Sequence, residues 1–166
     1  MKQTYDNKKI IAVDPALKIQ NVGAVFWHSA RPKYIDILRP NSQRDIYELF
    51  EKCLLCYYPD VILVEGTRYM GPKSHNQTYV RLSSIIEGLK QKYPDLVRVI
   101  DPLEWKRAIC GKNKKKTGKR IIQLHLKTRG IEYDSNYIKY LTQHDLDTIG
   151  MLLYWMDKIK REGDLG

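Results

Sequence analysis

Two short runs limit the folds open to this chain more than any other feature: IIAV at residues 10–13 and VILV at 61–64, each followed at once by an acid, Asp14 and Glu65. Runs this short, apolar and β-branched read as strands. Around them, KKIIAVD (8–14), VGAVFWHS (22–29) and KYIDILR (33–39) form three β-rich segments, the last two separated by Ala30, Arg31 and Pro32 as in a hairpin. Helical spacing over 42–57, with Ser42 as cap, leads to the strand DVILVEG (60–66). A helix over 76–93, a strand DLVRVID (95–101) and a short helix opened by Pro102 follow. The chain then passes through a basic loop, GKNKKKTGKR, a helix over 119–128 and a last helix from 143 to about 161. The order β-β-β-α-β-α-β-α with a helical end predicts three antiparallel strands and then alternating units. That is a mixed sheet with helices on its faces, in one α/β domain over residues 1–166.

Composition narrows the function classes. Hydrophobic residues make up 43% of 166, enough for a packed core and too many for a disordered chain. No apolar run approaches the ~20 residues of a membrane span and no signal-peptide pattern opens the sequence, so no membrane partner is expected. The formal net charge of +10 points to a polyanionic partner, of which nucleic acid is the commonest, or to a merely basic enzyme. Three cysteines, an odd number, argue against a disulfide framework and for a reducing compartment. Cys53 and Cys56 form a CxxC within an amphipathic helix, but no second pair completes a zinc site, so core packing is expected there.

Chemistry gathers at three acids: Asp14 ending the first strand, Glu65 ending the fourth, and Asp147 early in the last helix. Singly, each reads as a turn or capping residue. Together they read differently, because acids after neighbouring strands can lie at one end of a sheet, where open α/β sheets build their sites. Carboxylates so placed repel unless a cation intervenes, and oxygen ligands suit Mg²⁺ or Mn²⁺. Two such ions about 4 Å apart can activate water and stabilise the leaving oxygen in phosphodiester hydrolysis.

In this order, IIAVDPALKIQNVGAVFW, VILVEGTRYMG, DPLEWKRAICGKNKKKTGK and HDLDTIGMLLY resemble the RuvC family of Holliday junction resolvases, from about residue 8 to 157. The resemblance implies an RNase H-like fold with a five-stranded mixed sheet flanked by helices. It further implies a Mg²⁺-dependent endonuclease with two ions per site, Mn²⁺ substituting, that nicks four-way and other branched DNA symmetrically as a homodimer. The compartment implied is the cytoplasm of a bacterial or phage-infected cell. By the same resemblance Asp14 is the shared metal ligand, Glu65 the second carboxylate and Asp147 that of the last helix, and His144 stands where members carry Asp or His. Lys119 matches a lysine near the scissile phosphate, Lys106 another basic residue of the site, and Tyr69 the aromatic that stacks on junction bases. Ala16 replaces the Gly usual after the first motif's DP, and 111–118 is unusually lysine-rich, as in divergent, phage-like members.

The loop's Lys112, Lys114, Lys115 and Lys116, with Lys119 and Arg120, read as contacts to DNA backbone. A phosphate-binding P-loop is excluded: six residues separate the glycines and Arg120 follows Lys119 where Ser or Thr is required. Two rivals stand beside the junction nuclease. One is another RNase H-like nuclease acting on flaps or structured RNA; the other is a non-catalytic DNA-binding module, which gains nothing from acids among phosphates. The helix over 76–93 carries an apolar stripe suited to a dimer or to packing on the sheet.

The last helix opens with TQHDLD, and Thr142 with Asp145 reads as a capping box. At ~100° per residue, His144 and Asp147 lie about 60° apart and Asp145 about 160° from Asp147, so one face holds His144 and Asp147 without Asp145. Gly150 is expected to thin that face where it meets the sheet, and the positive helix end to keep His144 neutral.

Overall fold

The computed structural model describes residues 8–18, 22–28, 34–38, 44–67, 77–111, 118–133 and 139–164. Strands β1 (Lys9–Asp14), β2 (Gly23–His28) and β3 (Tyr34–Leu38) precede helix α1 (Ile46–Tyr57) and strand β4 (Val61–Glu65). Helix α2 (Gln77–Lys92), strand β5 (Val97–Ile100) and helices α3 (Pro102–Cys110), α4 (Lys119–Thr128) and α5 (Gln143–Asp164) follow. The α/β class and the mixed sheet read from the sequence are both present. Spatial order in the sheet is β3-β2-β1-β4-β5. β1 runs antiparallel to β2, and β2 to β3, while β1–β4 and β4–β5 are parallel.

The pleat divides the core into two layers, because successive side chains leave a strand on opposite faces. Ile11 and Val13 of β1, with Ile62 and Val64 of β4, face α1 and α2. Ile10 and Ala12, with Leu63, face α3, α4 and α5. Both strands are thus apolar on both sides, which is why IIAV and VILV do not alternate. α1 lays Ile46, Leu49, Phe50 and Cys53 on the first layer, at helical spacing. Cys53 is buried there and Cys56 is exposed, so the CxxC points apart, and burial pushes the Cys53 thiol up to about 12. α2 packs Ile86 and Leu89 onto the same layer, with Leu82 and Ile85 beside them.

Two boundaries differ from the sequence reading. α1 starts at Ile46 rather than near 42, because the Asp45 carboxylate accepts the Glu48 N–H at 3.0 Å and caps it. Ser42, the cap expected from the sequence, lies outside the described residues. β5 is shorter than 95–101, since residues 94–96 turn and the Val97 N–H bonds back to the Tyr93 carbonyl. Among the described residues no helix is long and apolar enough to cross a membrane.

Candidate active site

Register brings the two strand-end acids together. The Lys9 N–H donates to the Asp60 carboxylate at 2.8 Å and the Asp60 N–H to the Lys9 carbonyl at 2.8 Å, clipping the start of β1 to the residue before β4. Pairing then runs from Ile10–Val61 to Val13–Val64, and the next residue of each strand is Asp14 and Glu65. By parity both side chains leave on the face of Ala12 and Leu63, the face covered by α3, α4 and α5. A one-residue slip would send Glu65 to the other face.

Helix α5 reaches this point because β2 has no side chain there. Gly23 pairs with Asp14. A Cβ at Gly23 would lie 2.5 Å from the His144 carbonyl oxygen and 2.5 Å from the Thr148 hydroxyl, so only glycine lets the helix start rest on the strand. Thr148 is fully buried and donates its hydroxyl to the same His144 carbonyl at 2.6 Å. The result is a contact between His144 Nδ1 and Asp14 Oδ2 of 2.8 Å.

The first turn of α5 closes on itself. The Thr142 N–H donates to Asp145 Oδ2 at 3.0 Å, and the Asp145 N–H to Thr142 Oγ1 at 3.2 Å. Asp145 is 2% exposed and turned into this box, while Asp147 takes a hydrogen bond from the Gln143 amide at 3.0 Å. The opening acids of α5 therefore divide, one serving the backbone and one remaining on the side of the site.

Glu65 has a different partner, the indole of Trp105 in α3, whose Nε1–H donates to Oε2 at 2.8 Å. The ring sits against Gly150, where a Cβ would come within 2.6 Å of Cζ3. This corrects the role expected for Gly150. It makes room for Trp105, and Gly23 is the glycine that lets α5 meet the sheet. Neither Gly23 nor Trp105 was singled out from the sequence. A lone glycine inside the strand VGAVFWH was the signal for the first; nothing local marks the second.

The electrostatics follow from burial. Asp14 is 8% exposed, and loss of water holds its carboxyl above the usual range despite His144 beside it. Burial first, then the charge of Asp14, pushes Glu65 up to about 7, against the lowering influence of Lys106 and the indole N–H. His144 is pushed up chiefly by its hydrogen bond to Asp14, with burial opposing. The Asp14 carboxylate at hydrogen-bond distance thus favours the charged imidazole, opposite in direction to the neutral form expected from the helix end.

Among the described residues no three His, Cys, Asp or Glu side chains form a preformed metal cage. The donor set nevertheless suits a hard divalent cation. Asp14 is buried and Glu65 half-buried, and desolvation with mutual repulsion raises the carboxyls, which a divalent cation between them would offset. Lys106 acts on both acids and stands 5.5 Å over the Trp105 ring centroid. Lys119 donates its ammonium to the Lys139 carbonyl at 2.8 Å, and Arg120 is exposed on α4. Tyr69, Lys112, Lys114, Lys115 and Lys116 lie outside the described residues.

No protein-family model matches the sequence, and no curated protein matches it. Solved structures do. Thermus thermophilus RuvC in complex with a Holliday junction substrate is similar at 12% identity, with a TM-score of 0.58 over 94% of this chain and 97% of that one. The yeast mitochondrial Holliday junction resolvase Ydc2 is similar at 12% identity and a TM-score of 0.57, over 97% and 86%. Fowlpox virus resolvase with its Holliday junction DNA is similar at 16% identity and a TM-score of 0.55, over 90% and 99%. At such identities the likeness speaks for backbone architecture, and it shows that this chain has the RuvC-like resolvase fold.

Proposed function

We propose that this protein is a metal-dependent endonuclease that resolves four-way DNA junctions, and other branched DNA, by symmetrical nicking as a homodimer. One observation carries the reading. A buried acid, Asp14, and a half-buried one, Glu65, end adjacent parallel strands, and a helix brings His144 onto Asp14, on a fold shared with junction resolvases. A net charge of +10 supports DNA as the partner.

Asp14, Glu65, Asp147 and His144 are the groups that would hold Mg²⁺ or Mn²⁺. Two such ions would supply an activated water and stabilisation of the leaving oxygen. His144 Nδ1 is placed to hold or release a proton beside Asp14. Lys106 offsets the repulsion between the acids and presents a cation to a phosphate arriving there. Arg120 and the lysines at 112, 114, 115 and 116 would contact DNA backbone, with Tyr69 as the base-stacking candidate. Lys119 gives one ammonium N–H to the Lys139 carbonyl and keeps two for a phosphate. A two-fold dimer matches a four-way substrate that must be cut twice.

The test is cleavage of end-labelled four-way, three-way, flap and linear DNA with Mg²⁺, with Mn²⁺ and with chelator, alongside the solution mass of the protein. Paired nicks in the four-way junction, lost in Asp14→Asn, Glu65→Gln and Asp147→Asn while junction binding persists, are expected. Preference for flaps selects the structure-selective rival. Binding without cutting under any ion reduces the protein to a DNA-binding module.

A further inference from the structure

We infer that Trp105 is a positioning residue for Glu65, engaging one carboxylate oxygen so that the other is left to ligate the cation; this rests on the nuclease reading above. Trp105 is fully buried. A buried indole N–H requires an acceptor, and this one has Glu65 Oε2 at 2.8 Å. Among the described residues the only hydrogen bond to the Glu65 carboxylate is this one, at Oε2, and none of them engages Oε1.

The same ring is clamped on its far edge. A Cβ at Gly150 would meet Cζ3 at 2.6 Å, Cε3 at 3.1 Å and Cη2 at 3.4 Å, so the benzo edge fills a notch that only glycine leaves. Gly150 lies one helical turn after Asp147 on α5. A single rigid side chain therefore touches β4 through its N–H and α5 through its edge. It registers the carboxylate carried by the sheet against the helix turn that carries Asp147. A Trp105 that only filled the core would still need an acceptor for its N–H, but any carbonyl would serve; here the acceptor is the acid of the site.

The experiment pairs a variant with a measurement on the unaltered protein. Trp105→Phe keeps an aromatic ring in the notch and removes the donor. Expected are a roughly 10–100-fold loss of Mn²⁺ affinity by calorimetry, a similar loss of nicking, and junction binding unchanged. In ¹⁵N-labelled wild-type protein, Mg²⁺ titration is expected to move the Trp105 indole N–H resonance further than those of Trp27 and Trp155. That measurement decides the matter alone if the variant does not fold. Wild-type Mn²⁺ affinity in Trp105→Phe, or an unmoved Trp105 resonance under saturating Mg²⁺, overturns the proposal. Glu65→Gln separates the two kinds of failure. If it weakens Mn²⁺ binding and Trp105→Phe does not, only the positioning role falls; if neither does, Glu65 is no ligand and the nuclease reading of this site falls with it.

Discussion

His144 Nδ1 and Asp14 Oδ2 stand 2.8 Å apart although 130 residues separate them in sequence. The contact joins the last helix to the first strand at the level where Glu65 ends the fourth. It accounts for an exposed imidazole next to a nearly buried carboxylate, with side-chain exposures of 47% and 12%.

Replacing His144 by Ala should therefore lower nicking by at least about 100-fold, the scale of a lost proton-transfer group. His144→Asp should recover part of the loss, since a carboxylate can serve as a ligand in the same place. Single-turnover cleavage of a labelled junction is the measurement. An Ala variant as fast as wild type removes His144 from the site.

Glu65 sets a pH dependence whose sign is fixed by its environment. Its folded-state pKa, about 7, lies above the ordinary 4.5, so the folded protein holds this proton more tightly than the unfolded chain. The associated stability is complete below pH 4.5 and is lost as pH rises through 7. In metal-free protein, urea midpoints should fall over that window, less steeply in Glu65→Gln. Mn²⁺ affinity should rise over the same window, because the ion competes with the proton. Stability independent of pH across it, in both proteins, would contradict the burial argument.

Gly23→Ala tests how α5 is seated. The new methyl would stand 2.5 Å from the His144 carbonyl oxygen, a backbone atom that moves only if the helix moves. A destabilisation of about 1–3 kcal/mol by denaturant unfolding is expected. Nicking should fall further than the unfolded fraction explains, because the displaced helix carries His144 and Asp147. A stable and fully active variant would show that the helix start is not held by this strand.

Asp145→Asn should cost about 1 kcal/mol of stability and little activity, since the Asp145 carboxylate accepts the Thr142 N–H within the cap. Thermal melts and cleavage rates on one preparation decide it. An essential Asp145 beside a dispensable His144 would invert the division of labour proposed for this helix.

Much of this arrangement is written locally. Apolar runs closed by acids mark the buried strands, and a pleat of period two sends Asp14 and Glu65 to one face once the register is set. The 3.6-residue period separates Asp145 from His144 and Asp147, and Thr142 with Asp145 encodes the cap within four residues. These features depend on neighbours a few residues away, which is the range over which backbone geometry is encoded. Tertiary structure decided the rest. Gly23 rather than Gly150 meets the opposing backbone, because the approach of α5 depends on β2, more than a hundred residues earlier. Trp105 became the partner of Glu65 across 40 residues, and His144 was drawn toward its charged form by a carboxylate that no window of sequence around it contains. Charge and packing act through space, so a side chain's protonation and fit are set by whatever the fold places within a few ångströms.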